Sequence, residues 1–283
     1  MKNDAKFSCL PLSLYQNIYD GSLSLSRFSS MAREMGYDGI DINEYFTKDL
    51  SLREAESLSL GLQLPVICMC AYSDFTNCDP VTLRNEVQRA LNNIEKAACL
   101  GAEYIRLTAG PAHPYCDDNT VDTVYACFEE CAEEAKKHNI KILIENHLKA
   151  LSWDYPDYNF DYRRMLLLWD RLKELPVFIN FDTANSYALG NWEKLLEKLL
   201  ERIEAIHIND ISSLNPFKCS VAGEGIVCID KMLQRLFDYG FNGWITIEEA
   251  AFQGAEGMKK SIENMKSLIG SIKSNTCKGE NKT

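Results

Sequence analysis

ILIENH (142–147), VFINFDTAN (177–185), IEAIHIND (203–210) and WITIEEA (244–250) are four short apolar runs, and each ends in side chains able to ligate a metal. Short runs rich in β-branched residues fit strands buried on both faces, as in a parallel sheet covered by helices. Successive residues of a strand point to opposite faces. Ile142, Ile144 and Asn146 therefore share one face, and Leu143, Glu145 and His147 the other. The same alternation groups Phe178, Asn180 and Asp182; Ala205, His207 and Asn209; and Thr246 with Glu248. Glu145, Asp182, His207 and Glu248 then all point inward near the C-terminal ends of successive strands. If those strands close into a barrel, three carboxylates and one imidazole converge on one point, a divalent-metal site in a catalytic position.

The first half of the chain continues the pattern outward. Strands are expected over 7–13 (FSCLPLS), 37–42 (YDGIDI), 64–72 (LPVICMCAY) and 103–110 (EYIRLTAG). Between and after the strands the spacing predicts helices near 25–36, 50–60, 80–101, 118–138, 161–174, 191–202, 229–239 and 257–272. Asp79-Pro80 is a suitable cap and first-turn pair, and Gly36, Gly61 and Gly101 are suitable stops. Strands alternating with helices imply a parallel sheet. Eight such units, with candidate ligands on four consecutive strands, favour an α/β fold made of one (β/α)₈ TIM barrel over an open doubly wound sheet. In a barrel the strand ends face a common axis; in an open sheet they would be spread out. The barrel is expected over 1–272, with the active site at the C-terminal ends of the strands, followed by a polar, disordered tail over 273–283 (KSNTCKGENKT). Neither a GxGxxG turn after the first strand nor a Walker loop is present, so nucleotide-binding folds lose support.

Composition narrows the function classes. Lys plus Arg number 30 against 41 Asp plus Glu, a net charge of −11 that repels nucleic acid and anionic membranes. The opening residues, MKNDAKFSCL, hold no apolar stretch of signal-peptide length, and no run approaches a membrane span, so a cytoplasmic protein is expected. Eleven cysteines, an odd number, include Cys68 and Cys70 in one strand-like run and Cys127 and Cys131 one helical turn apart. Neither pair has zinc-ribbon spacing, and they are read as buried free thiols.

The order IENH (144–147), FDTAN (181–185), HIND (207–210), GEG (223–225) and IEEA (247–250) resembles the xylose-isomerase-like superfamily of sugar isomerases and epimerases, over roughly residues 5–272. The resemblance implies a four-ligand, manganese-type site on Glu145, Asp182, His207 and Glu248, with Mg²⁺, Co²⁺ or Zn²⁺ as alternatives. It also implies that Glu145 and Glu248 act on opposite faces of a substrate. The chain departs from the keto-sugar epimerases at Asn185, where many carry a histidine, and at Ile211-Ser212-Ser213, where they carry an arginine.

Other polar residues fall near the expected mouth. His147, one step beyond Glu145, suits a general base or a substrate donor, or alternatively a supporting histidine. Arg106 shares an inward face with Tyr104 and Thr108 and needs an anion, either Glu103 or a substrate. His113, Asn185 and Trp153 join Arg106 as candidate substrate contacts. Trp153, Tyr155 and Tyr158 lie on the loop at 148–160, where aromatics stack on a sugar, close a lid or pack at an oligomer interface. Lys149 and Lys218 are the nearby lysines, and neither sits in a glycine-rich anion nest.

The expected chemistry is isomerisation or epimerisation of a sugar, by proton abstraction next to a carbonyl through a metal-bound enediolate. Glu145, Glu248 and His147 are the catalytic candidates. The alternative is a lyase on a keto-sugar, either inosose-dehydratase-like or the catalytic subunit of a C-glycoside deglycosidase. The expected partners are the small sugar-derived substrate and either a second copy of the chain or a small β-protein subunit. DNA-repair endonucleases on the same barrel use five histidines, and this chain has four. Duplex DNA should therefore leave the protein unaffected in a mobility-shift assay. Tight, salt-sensitive binding with cleavage at abasic sites would contradict this reading.

Overall fold

Eight parallel strands close into a barrel in the computed structural model, which describes residues 5–280, with side chains to residue 274. They are β1 (Lys6–Leu10), β2 (Gly39–Asn43), β3 (Val66–Cys70), β4 (Tyr104–Leu107), β5 (Lys141–Glu145), β6 (Val177–Asp182), β7 (Ile203–Ile208) and β10 (Trp244–Glu248). Each pairs with its sequence neighbour, and β10 closes the ring between β7 and β1. An antiparallel hairpin, β8 (Asp210–Leu214) and β9 (Phe217–Ser220), follows β7 over the C-terminal end and was not expected from the sequence.

The helices between strands follow local capping chemistry. Ser24 caps α2 (Leu25–Met35), which stops at Gly36 with a left-handed φ of 91° that a side chain would resist. Ser51 and Glu54 form a reciprocal capping box on α3 (Leu52–Leu60), and Asp79 caps α4 (Pro80–Cys99). α5 (Thr120–His138), α6 (Tyr162–Leu172) and α9 (Ile229–Tyr239) lie close to their expected positions.

Several boundaries differ from expectation, and the fourth strand, for one, ends at Leu107 rather than 110. The first strand stops at Leu10 rather than 13, because Pro11 offers no N–H to a ladder, and a 3-10 turn and α1 (Tyr15–Tyr19) follow. The sixth strand stops at Asp182, which turns from strand residue into the cap of α7 (Thr183–Leu189); its Oδ1 accepts the Asn185 amide at 2.6 Å. The helix expected over 191–202 is α8 (Trp192–Leu199) followed by a 3-10 turn. The last helix, α10 (Gly254–Glu280), continues through most of the stretch expected to be an irregular tail; residues 281–283 lie outside the described residues.

The inward and outward faces agree with the alternation. Ile105, Leu107, Ile142, Ile144, Ile245 and Ile247 pack outward into the layer shared with the helices. Leu10, Cys68, Cys70, Tyr104, Leu143, Ala205 and Trp244 fill the barrel interior. The ten described cysteines are all free thiols.

Asp210 ties the turn after the hairpin to the barrel. Its Oδ2 accepts the amides of Gly223 and Gly225 at 3.0 and 2.8 Å, and its Oδ1 accepts those of Ile211 and Val227 at 2.9 and 3.2 Å. A Cβ on Gly225 would lie 2.1 Å from Asp210 Oδ1 and 2.3 Å from the Ile211 carbonyl. Asp210 of the HIND motif therefore serves the turn. Both Asp210→Ala and Gly225→Ala should lose about 2–4 kcal/mol in urea unfolding, through orphaned amides or steric overlap. Parent-like stability in Asp210→Ala would contradict that role.

Candidate active site

The strand ends are held in register by side chains that reach across to the neighbouring strand. Asn146, just past β5, donates to the Asp182 carbonyl and accepts the Asp182 amide, both at 2.9 Å. Thr183 repeats the device one strand on, donating to the Asn209 carbonyl at 2.7 Å and accepting its amide at 3.0 Å. These ties fix where Glu145, Asp182 and His207 project.

One ligand atom each from Glu145, Asp182 and His207 lies within 4.8 Å of the others, and all three residues are buried. A metal ~2.0–2.2 Å from each needs only a small contraction of that triangle. Glu248 stands at its edge, with Oε2 3.8 Å from His207 Nδ1 and a side chain 16% exposed. Asn180 donates to Glu145 Oε2 at 3.0 Å, Asn185 approaches Glu145 Oε1 at 3.5 Å, and Asn209 donates to Glu248 Oε2 at 3.1 Å.

Electrostatics splits the carboxylates. Burial pushes Glu145 up, but His207, Arg106 and His147 outweigh it and hold its carboxyl below the usual range. Burial, then repulsion from Glu145 and Glu248, drives Asp182 well above that range. Burial also raises Glu248. Burial alone would depress His207, yet Glu145, Asp41, Cys70 and Glu248 raise it to about 10. Asp182 Oδ2 is buried and finds no hydrogen-bond partner among the described residues. A divalent cation would satisfy that oxygen and balance the carboxylates, so Glu145, Asp182, His207 and Glu248 fit such an ion.

Beneath His207 lies a polar layer that the sequence reading passed over. His207 Nε2 is 3.7 Å from Asp41 Oδ2, which accepts from Thr246 at 2.9 Å; Thr246 in turn meets Ser8 at 2.7 Å. Asp41 is thus placed to orient the imidazole so that Nδ1 faces the carboxylates. The signal was present in GIDIN (39–43), where Asp41 takes the inward position between the outward-facing Ile40 and Ile42.

Arg106 points inside the barrel, 2% exposed, with Nε 3.3 Å from Glu145 Oε2 and its guanidinium 4.7 Å from the Tyr72 ring centre. Glu103, the alternative partner, instead accepts from Trp244 Nε1 at 3.0 Å. Arg106 Nε and Nη1 form no hydrogen bond among the described residues. Tyr72 is held from behind: its amide donates to Glu44 Oε1 at 2.8 Å, and Arg89 bridges the same carboxylate and the Tyr72 carbonyl. His147 and Trp153 complete this wall, with ring centres 5.6 and 6.3 Å from Tyr72.

Other expected residues fall elsewhere. His113 pairs with Asp74 at 3.2 Å and stacks on Tyr115 with centres 4.9 Å apart, without a described contact to the carboxylate group. Tyr158 is buried, its hydroxyl donating to the Asp117 carbonyl, whereas Tyr155 is exposed near His113. Lys149 donates to the Asp154 carbonyl of its own loop.

The chain belongs to the family described as the xylose isomerase-like TIM barrel, whose model matches residues 29–268. A 152-residue segment is 23% identical to the inosose dehydratase of Bacillus licheniformis, covering 48% of this chain and 48% of that protein. The chain thus spans about half the length of the curated relative it matches. Among solved structures it is similar to a D-tagatose 3-epimerase-like protein, with a TM-score of 0.76, 18% identity, and 96% and 99% of the two chains covered. It is likewise similar to the IolI protein with a bound zinc atom, with a TM-score of 0.76, 16% identity, and 94% and 99% covered. Among the described residues no helix is long and apolar enough to cross a membrane.

Metal binding should carry a proton signature. His207, raised to about 10, holds a proton at pH 7.5 in the metal-free protein, and a ligand nitrogen must shed it. Titration with Zn²⁺ or Mn²⁺ at pH 7.5 should load one ion per chain, release at least one proton, and weaken as pH falls. His207→Ala should lose affinity and most of the proton release. An ion taken up with no proton release would contradict this account of the site.

Proposed function

We propose that this protein is a divalent-metal-dependent enzyme that isomerises or epimerises a small sugar by moving a proton next to a carbonyl. The observation that carries the reading is the convergence of Glu145, Asp182, His207 and Glu248, with Asp182 Oδ2 buried and without a partner among the described residues. A bound divalent ion supplies the Lewis-acid charge that makes a C–H beside a carbonyl acidic. Zinc is held by the IolI neighbour, while manganese is the ion suggested by the family's four-ligand pattern.

The chain's own residues divide the remaining work. Glu145 is held ionised by His207 and Arg106 and serves as an anionic ligand. Glu248 has its carboxyl pushed up by burial and faces the mouth with more exposure than Glu145. Paired carboxyls whose surroundings drive them apart suit different proton roles, so Glu248 takes and returns the proton. Tyr72 and Trp153 offer flat apolar walls for a sugar ring, and Arg106 Nη1, without a hydrogen-bond partner among the described residues, is left to meet a substrate oxygen. His147 stands beside Glu145 as a second proton carrier.

A second reading, a lyase that expels a β-substituent after the same proton abstraction, is favoured by two observations. The sequence relative is a dehydratase, and Asn185 stands where many keto-sugar epimerases carry histidine.

Solvent-deuterium incorporation into ketohexoses, inososes and 3-keto-glycosides, with metal in excess, tests both readings. Exchange without loss of a substituent marks the isomerase; release of water or an aglycone marks the lyase. Glu248→Gln, nearly isosteric but unable to accept a proton, should lower exchange by ~10²–10⁴-fold, as for a positioned acid–base group. Exchange at the parent rate under saturating metal would remove Glu248 from the role of base.

A further inference from the structure

His147 leaves β5 two residues after Glu145, and its Nδ1 lies 3.2 Å from Asp157 Oδ2. Asp157 stands on the loop at 148–160, with its side chain fully buried. Its two oxygens have separate tasks, since Oδ1 accepts the Asn159 amide at 3.3 Å. The loop is anchored independently of that carboxylate. The Asp157 amide donates to the Leu148 carbonyl at 2.9 Å, and the Tyr158 amide donates to Gly110 at 2.7 Å. Pro156 accepts the Ala112 amide at 2.7 Å. His147 Nε2 has no described protein partner, its side chain keeps 11% exposure, and the rings of Tyr72 and Trp153 stand 5.6 and 6.0 Å away.

We propose that Asp157 is a positioning residue that fixes His147 as the Nδ1–H tautomer and leaves Nε2 as a proton acceptor beside the aromatic wall. Burial raises the Asp157 carboxyl, and the His147 ring and the Asn159 amide act against it; as a carboxylate at pH 8.5 it only accepts hydrogen bonds, so the nitrogen facing it must carry the hydrogen. The lone pair then lies on the nitrogen turned away from Asp157, where a base that meets substrate needs it. The same arrangement holds the imidazole in one rotamer, because Asp157 is fixed by the backbone around it. The use made of Nε2 rests on the proton-transfer reading above; the tautomer does not.

Asp157→Asn makes a sharp test because of the two donors facing the carboxylate. The Asn159 amide can only donate, whereas His147 Nδ1 can surrender its hydrogen. The substituted amide therefore keeps its oxygen on Asn159 and turns its NH₂ towards Nδ1, so His147 must become the Nε2–H tautomer. Long-range ¹H–¹⁵N spectra of histidine-labelled, zinc-loaded protein at pH 8.5, with His147 assigned through His147→Asn, read this directly. Nδ1–H in the parent and Nε2–H in Asp157→Asn are expected. Nε2–H in the parent, or an unchanged tautomer in Asp157→Asn, overturns the proposal. The parent spectrum decides the tautomer even if Asp157→Asn does not fold.

In the exchange assay, Asp157→Asn should lower kcat ~10²–10⁴-fold, as when an orienting aspartate or a base is lost. KM should change by less than about threefold, since no substrate contact is removed. A switched tautomer with parent-like kcat overturns the assignment of Asp157 to proton transfer. If the parent exchanges no substrate on the panel, the reaction class falls and the tautomer result still decides this proposal.

Discussion

Negative charge held away from water is the constraint on which the upper end of this barrel depends. Glu145 and Asp182 are almost wholly inaccessible, and Glu248 stands beside them. Carboxylates in such a place must gain a proton, a cationic neighbour or a metal. Two of these are visible in the group: Asp182 is driven towards its protonated form, and Glu145 is stabilised by His207 and Arg106, while Asp182 Oδ2 has no hydrogen-bond partner among the described residues. A divalent ion bound there would compete with protons for the same groups.

Such charge can be tolerated only if its surroundings are rigid. Asn146 and Thr183 tie each strand end to the next, Asp41 braces His207 from below, and Asn180 and Asn209 each occupy a carboxylate oxygen. Amides suit this task because they donate to a carboxylate without adding charge. The mouth is built differently. Its walls are aromatic rings, Tyr72, Trp153 and His147, and the cationic Arg106 reaches them from inside the barrel. A few convergent charged groups under a flat apolar wall is the combination found in small-molecule sites.

The barrel and its carboxylates were legible because strand alternation is a strict period of two. A polar residue at the inward position of an apolar run has one direction in which to point, and Glu145, Asp182 and His207 obey this. Asp41 obeyed it as well and could have been read by the same rule. Loop geometry was not legible in that way. No period decides that Trp153 faces the mouth while Tyr158 turns into the core, or that His113 finds Asp74. Asp157 meets His147 only because the loop folds back against the Gly110 turn. The β8–β9 hairpin was missed because DISSL and FKCS show little alternation, and Pro11 ended a strand that hydropathy alone would have prolonged.

Crystals of the protein loaded with Mn²⁺ or Zn²⁺, with the ion located by its anomalous scattering, test the central claim most directly. The account predicts one strong peak per chain, with Glu145, Asp182, Glu248 and His207 Nδ1 each about 2.0–2.3 Å away. It also predicts that Asp182 Oδ2 is no longer without a partner. A peak elsewhere, or these four side chains remaining apart with no peak among them at saturating metal, would contradict it.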